Sequence, residues 1–291
     1  MRITPLNAPF GAAIEGIDCA AVLDDATMRQ LVATLHEHRL IVLKGQNFEH
    51  ASYLAFGERW GTPIPHVLDH LRMPGFPGMM AIGNTEKKDR EDNVRNGAAF
   101  WHTDQSYEAE PSSATMLHAI KVPKRGGETQ LADMTAAYDA LSEAMKARLE
   151  GLNAMHLYGA ASGRDGELKA AWFKSEEQSS RVPAVKHPIA RRHPVTGRTV
   201  LYAVAGTPIA VEGLEQEESD ALLAELKAHA LQERFIYRHR YEPGDVAIYD
   251  TVQTLHSGVP IDVADGAGSE RLLWRISVRG LPGVCRGAEA A

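Results

Sequence analysis

His102-Thr103-Asp104 places an imidazole and a carboxylate two residues apart, and His256 offers a second imidazole far downstream. On a strand, alternate side chains share a face, so His102 and Asp104 are expected to point together while Thr103 points away. Two imidazoles and one carboxylate on one side of a metal leave its other side open. That donor set suits a non-haem Fe(II) oxygenase, in which a co-substrate and O2 share the remaining positions. In a chain with 13 histidines a lone His-x-Asp tripeptide carries little weight, so neighbouring residues must add to it.

Arg271 and Arg275 supply the next chemistry. Four apart on a strand, they share a face and lie about 13 Å apart along it. A planar guanidinium matches a carboxylate with two prongs. Two cations inside one barrel repel unless each meets an anion, which suggests one for a dianionic co-substrate such as 2-oxoglutarate and one for an anionic substrate. Spacing alone serves two exposed strand arginines equally well, or arginines paired with Glu270 and other surface acids. A 2-oxo acid chelating a metal through its keto oxygen and C1 carboxylate leaves one position for O2. Metal and co-substrate then carry the redox chemistry, and the protein supplies placement and electrostatics. Two alternatives stay open: a zinc hydrolase using the same ligands to activate water, and a metal-free jelly-roll protein that binds a small molecule.

The elements that must position these residues read as strands with a few flanking helices. Asp24 and Asp25 cap a helix running to about His38, with Met28, Leu31, Val32 and Leu35 on one stripe. Further helices are expected over Ser52–Trp60, closed by Gly61, over Thr135–Leu152 and over Ser219–Leu231. Strands are expected at Leu40–Leu43, Val200–Val204 and Asp245–Tyr249. The clearest runs from Arg271 to Arg279, with Leu272, Trp274, Ile276 and Val278 on one face and Arg271, Leu273, Arg275, Ser277 and Arg279 on the other. Many strands without a βαβ rhythm predict a mainly β sandwich or jelly-roll barrel. No composition break divides residues 1–291, which read as a single domain. The charge-dense stretch 85–96 and the polar stretch 161–186 are expected to be surface loops placed to act as lids over the site.

Composition narrows the partners. The formal net charge of −7, from 31 basic and 38 acidic residues, argues against nucleic-acid binding. No apolar run approaches the roughly 18 residues that span a bilayer. No signal peptide is apparent at the N-terminus, and Cys19 and Cys285 are too few for a disulfide framework. The expectation is a soluble cytoplasmic protein.

Several segments together resemble one family. Gly11-Ala12-Ala13-Ile14-Glu15-Gly16-Ile17-Asp18, Leu43-Lys44-Gly45-Gln46, Trp101-His102-Thr103-Asp104-Gln105-Ser106-Tyr107, Pro123 to Met134, Ala136 to Leu141, His187 to Arg198 and Gly244 to Asp250 are similar to segments of the taurine dioxygenase and 2,4-dichlorophenoxyacetate dioxygenase family of Fe(II)/2-oxoglutarate-dependent enzymes. The resemblance implies a double-stranded β-helix, a jelly-roll of clavaminate synthase-like type, with Fe(II), 2-oxoglutarate and O2 at one mouth. It implies His102, Asp104 and His256 as iron ligands and Thr129 and Arg271 for 2-oxoglutarate. Arg275 is implied as the neighbouring arginine that meets a small anionic substrate, although members differ in which arginine takes which carboxylate. His66 matches a substrate-anion position of the taurine branch, whereas Tyr107, Trp172 and Phe173 are candidates for an apolar substrate wall. Relatives commonly self-associate, which implies a homo-oligomer. Departures are Tyr249-Asp250-Thr251-Val252 where members usually read Trp-Asp-Asn-Arg, a flexible insert at Asp265–Gly268, and Ala98 where the taurine branch carries an amide. The last argues against taurine itself. Retention of Asp104 separates the chain from related halogenases.

Overall fold

The computed structural model of the chain describes residues 1–85, 95–159, 182–266 and 268–285. In its first half lie strands β1 (Arg2–Pro5), β2 (Ala12–Glu15), β3 (Leu40–Leu43), β4 (Thr62–Pro63), β5 (Arg72–Met73), β6 (Phe76–Gly83), β7 (Ala114–Lys121) and β8 (Thr129–Asp133). Then come β9 (Asn153–His156), β10 (Val185–Pro188), β11 (Ala190–Arg192), β12 (Thr199–Leu201), β13 (Pro208–Val211), β14 (Ile236–His239), β15 (Val246–Asp250), β16 (Thr254–Gly258) and β17 (Leu272–Arg279). Helices α1 (Asp25–His38), α2 (His50–Trp60), α3 (Met134–Asp139), α4 (Glu143–Leu149) and α5 (Gln216–Ala230) flank them.

The major sheet runs β1-β2-β3-β15-β7-β17-β6-β5, with β4 added against β17. A three-stranded sheet, β14-β8-β16, faces it. The central strands β3, β15 and β7 of the major sheet are buried on both faces, and their sequences show why. On β15, Val246 and Ile248 pack outward with Met28, Leu31 and Leu35 of α1 and with Tyr53, Phe56 and Trp60 of α2. Ala247 and Tyr249 alternate inward and meet Leu131 of β8, with Leu117 of β7 and Leu273 of β17 on the same face. That inner layer is the barrel interior. A third cluster packs α3, α5 and β12 on the far side of the smaller sheet. The mainly β jelly-roll expectation is met.

Local expectations fared unevenly. Helix α1 is capped by Asp24, whose carboxylate accepts from the Thr27 amide, and α2 ends at Gly61 as expected. The single helix expected over Thr135–Leu152 is two. Asp133 caps the first from Thr135 and Ala136, and Ser142 caps the second by accepting from the Met145 amide. A serine that takes a backbone proton inside an otherwise helical stretch starts a new helix rather than continuing one. Helix α5 begins at Gln216, before the expected Ser219. Strand β12 stops at Leu201, short of the expected Val204, and Ala203 adopts φ +47°. Most of the stretches 85–96 and 161–186, with Trp172 and Phe173, lies outside the described residues. The end of the second is not loop, because Val185 and Lys186 pair in β10 with His156 and Met155.

Candidate active site

His102 does not sit on a regular strand. It forms an isolated antiparallel bridge with His256, each donating its amide to the other's carbonyl at 2.9 Å. A doubly bonded antiparallel pair holds both side chains on one face, and the two imidazole centroids are 4.1 Å apart. After Thr103 the chain turns, so Asp104 reaches the same place by a turn rather than by strand alternation. His102 Nε2 lies 3.6 Å from Asp104 Oδ1, and His256 Nε2 lies 3.7 Å from Asp104 Oδ2.

The protonation states suit a cation. His102 Nδ1 is 2.8 Å from the Phe100 carbonyl, which can only accept, so Nδ1 is the donor and Nε2 is the nitrogen turned to the site. Burial first, and His102 second, lower the His256 pKa to about 3, so its ring is neutral at neutral pH. Burial pushes the Asp104 carboxyl upward, but Arg275, His256 and His102 outweigh it and hold the carboxyl well below the usual range. Two imidazoles and one carboxylate, with ligand atoms all within 4.8 Å of one another, fit a divalent transition metal.

A second His-His-Asp group, His36, His193 and Asp250, fits less well. His193 Nδ1 accepts from the Val195 and Thr196 amides, so Nε2 carries the proton and donates to Asp250 at 2.9 Å. The Val252 and Gln253 amides and the Gln253 side chain also donate to Asp250. This group is a saturated hydrogen-bond network that ties β15 to the loop before β16. It explains Asp250 in the departing Tyr249-Asp250-Thr251-Val252 segment: the aspartate supports the turn ahead of His256 and leaves the ring alone. His256 Nδ1 is buried without a hydrogen-bond partner.

One cavity of about 210 Å³ collects the site residues expected from the sequence that lie among the described residues: His66, His102, Asp104, Tyr107, Thr129, His256, Arg271 and Arg275. Arg271 and Arg275 are not surface arginines, and Glu270 pairs with Lys121 instead of with them. Arg275 Nη2 donates to Asp104 Oδ1 at 2.7 Å, and its Nη1 lies 3.4 Å from Met80 Sδ. Arg271 is 7% exposed, and among the described residues it has no carboxylate within ion-pair distance. Its Nε donates to the Gly127 carbonyl at 3.1 Å, and burial lowers its pKa. Thr129 Oγ1 shares a 2.9 Å hydrogen bond with the Tyr241 hydroxyl beside it.

At the other end of the cavity, burial first and Arg275 second lower the His66 pKa to about 4. His66 Nδ1 accepts from the Leu68 amide at 3.1 Å, which leaves Nε2 as a neutral donor. Tyr107 packs edge to face on Tyr158, with centroids 4.6 Å apart. Ala98 lines the cavity as its carbonyl takes the Gly258 amide, so this position offers no amide side chain.

Reading the sequence alone missed several supports. Asn84 accepts from the Arg271 amide at 2.7 Å and donates to the Asp262 and Ser269 carbonyls. Gly127 has φ +77°, and a Cβ there would stand 3.0 Å from Arg271 Cδ, so only glycine admits the arginine. Thr115 donates to Asp104 Oδ2 at 2.7 Å. Gln105 lines the cavity at φ +50°, with a buried Oε1 that has no partner. The glycine pair Gly126-Gly127 is visible in the sequence; no local pattern marks the others.

Known proteins give this geometry its context. Residues 2–277 match the family described as taurine catabolism dioxygenase TauD, TfdA family. The alpha-ketoglutarate-dependent 2,4-dichlorophenoxyacetate dioxygenase of Cupriavidus pinatubonensis is 32% identical over 270 residues, covering 89% of this chain and 92% of that protein. The (S)-phenoxypropionate/alpha-ketoglutarate-dioxygenase of Sphingobium herbicidovorans is 33% identical over 284 residues, covering 96% and 95%. Among solved structures, AAD-2 in complex with Mn(II) and N-oxalylglycine superposes with a TM-score of 0.82 at 25% identity, covering 96% of this chain and 98% of that one. The chain belongs to the taurine catabolism dioxygenase TauD, TfdA family and is an Fe(II)/2-oxoglutarate-dependent dioxygenase that consumes O2.

Proposed function

We propose that His102, Asp104 and His256 hold the iron, that Arg271 and Thr129 receive the far carboxylate of 2-oxoglutarate, and that Arg275, His66 and Tyr107 face a small anionic organic substrate, which is oxidised. The observation that carries this reading is Arg271: a buried guanidinium with no carboxylate within ion-pair distance among the described residues, Glu128 acting on it only from farther away. An uncompensated buried charge is costly, so a ligand carboxylate is its natural partner. Iron supplies the O2 chemistry when bound. The residues around it orient the co-substrate, keep the His256 imidazole neutral and keep Asp104 ionised.

Charge balance supports the substrate class. Bound Fe(II), Arg271 and Arg275 bring four positive charges, whereas Asp104 and the 2-oxoglutarate dianion bring three negative ones, and Arg95 also lines the cavity. The balance is left positive, with His66 neutral beside Arg275, and an anionic substrate suits it. Relatives named for phenoxyacetate and phenoxypropionate carry such a charge on an aryl group, and the Tyr107–Tyr158 pair offers an apolar wall for one. A zinc hydrolase would leave Arg271 without a purpose, and a metal-free binding protein would leave the His102, Asp104 and His256 group without one.

The same reading makes residues 1–291 one domain, because the first and last strands belong to the same sheet. Two free cysteines suit the cytoplasm, and burial, with Asp18 adding to it, pushes the Cys19 thiol up to about 12, where it is inert. Among the described residues no helix is long and apolar enough to cross a membrane. A net charge of −7 gives no general affinity for nucleic acid. Self-association into a homo-oligomer, implied by relatives, is read out by light scattering of the purified chain.

The test is anaerobic addition of Fe(II) and 2-oxoglutarate, which should give a weak visible charge-transfer band, followed by succinate release on admitting O2 with a panel of aryl and alkyl carboxylates, sulfates and sulfonates. Absence of the band, with tight stoichiometric zinc binding and no oxygen uptake, would overturn it. Succinate coupled only to neutral compounds would overturn the substrate class alone.

A further inference from the structure

Tyr249 of β15, Thr115 of β7 and Ser277 of β17 are direct cross-strand neighbours in the centre of the major sheet. All three face the barrel interior, and none is more than 4% exposed. They form a row of hydroxyls across three adjacent strands, and the row ends on the Asp104 carboxylate. Thr115 Oγ1 is 2.7 Å from Asp104 Oδ2 and 2.7 Å from Ser277 Oγ, and the Tyr249 hydroxyl is 3.4 Å from Asp104 Oδ2.

The direction of the protons follows from valence. An ionised carboxylate only accepts, so Thr115 must give its single hydroxyl proton to Asp104. Ser277 must then be the donor to Thr115, and its own proton is committed in turn. Arg275 pulls on the other oxygen, Oδ1, from a long side chain that reaches in from two residues before Ser277. Arginine alone would leave the carboxylate free to swing about its Cβ–Cγ bond toward the guanidinium. Thr115 is short, β-branched and stiff at χ1, and it is anchored in a central strand. It fixes the second oxygen and therefore the plane of the carboxylate.

We propose that Thr115, oriented by Ser277, is a positioning residue for the metal: it holds the Asp104 carboxylate plane between the two imidazoles against the pull of Arg275. The proposal rests on the reading of His102, Asp104 and His256 as the metal ligands, and it predicts an effect on metal affinity independent of turnover. Outer hydrogen-bond partners of metal ligands commonly account for 10–100-fold in affinity.

The experiment is titration of the metal-free protein with Co(II), followed by visible absorption. Thr115→Val, of nearly equal volume, should weaken Co(II) binding by roughly 10–100-fold and alter the Co(II) bands, whereas Thr115→Ser restores the hydroxyl and should bind within about threefold of the parent. Parent-like affinity in the valine variant would overturn the proposal. So would a serine variant as weak as the valine one, since that would make the residue a matter of packing. Ser277→Ala leaves Asp104 untouched and keeps the test open should the valine variant not fold. It should weaken Co(II) several-fold, and parent-like affinity there would remove the row's second member. Failure of the unmodified protein to bind Co(II) would instead overturn the metal-centre reading.

Discussion

Arg271 and Arg275 enter one cavity from one face of the same stretch of chain, yet their surroundings differ. Arg275 is met by Asp104 at 2.7 Å and has a thioether against its other nitrogen, whereas Arg271 has the Gly127 carbonyl at 3.1 Å and, among the described residues, no carboxylate within ion-pair distance. Burial opposes the charged form of both. At Arg275 burial is the largest single influence, but Asp104 together with Tyr249 and Tyr107 outweighs it and raises the pKa, while at Arg271 burial prevails and lowers it. A buried cation with its own counter-ion is part of the machinery that sets up a site. One that lacks a counter-ion is a place for a ligand's charge. The contrast assigns the two arginines more sharply than their spacing could.

The largest expected effect comes from removing the group both ends depend on. Asp104→Ala takes away a proposed metal ligand and leaves Arg275 without its carboxylate partner. Coupled succinate formation should fall below detection, and Co(II) should no longer bind with parent affinity. Turnover at the parent rate would show that the carboxylate is no ligand.

Next, Arg271→Ala should raise the 2-oxoglutarate concentration needed for half-maximal rate by two orders of magnitude or more, since removing one partner of a buried pair costs about 3–5 kcal/mol. The comparison adds a second readout. Without co-substrate no ion pair is broken, so the melting temperature of the ligand-free variant should stay near the parent's, while the stabilisation by added 2-oxoglutarate disappears. If instead only the substrate requirement rises, the roles of the two arginines are exchanged.

How far the sequence carried this contrast is instructive. Period-two alternation put Arg271, Leu273, Arg275 and Ser277 on one face, and all four point into the barrel, because an apolar face packed on α1 and α2 fixes the register. The ligand set and Thr129 were legible through the resemblance. The charge asymmetry was not legible. It depends on Asp104 reaching Arg275 across 171 residues and on Asn84 fixing the Arg271 backbone from 187 residues away. Such pairings leave no local periodicity. The turn that aims Asp104, with Gln105 at positive φ, was read as strand, since a three-residue motif cannot distinguish alternation from a bridge followed by a turn. The break at Ser142 was missed because the apolar spacing continues across it.

Arg275→Gln should behave unlike Arg271→Ala in the ligand-free state. It leaves Asp104 buried without its cation, a loss of roughly 3–5 kcal/mol of folding stability. Urea unfolding of the metal-free proteins checks this, and added Co(II) should narrow the deficit by supplying another positive charge. Equal stability of the two arginine variants would erase the distinction between them.

The smallest effect reports on the field that Arg275 casts over its neighbour. His66 is held at about 4 by burial and then by Arg275, against about 6.5 in an unfolded chain. Between those values the unfolded state binds a proton that the folded state refuses. His66 therefore subtracts stability as pH falls from about 6.5 toward 4, by up to ~1.4 kcal/mol per pH unit. In Arg275→Gln one cause of the shift is gone and burial remains, so the His66 pKa should rise but stay below the unfolded value, and its share of the acid-induced loss should shrink. Titration of the His66 ring proton by NMR in the metal-free protein measures this directly. The same titration in Arg271→Ala should show no movement, because Arg271 does not contribute to the His66 shift. An equal rise in both variants would mean that the two guanidinium groups are felt alike, and that the cavity does not have two electrostatically distinct ends.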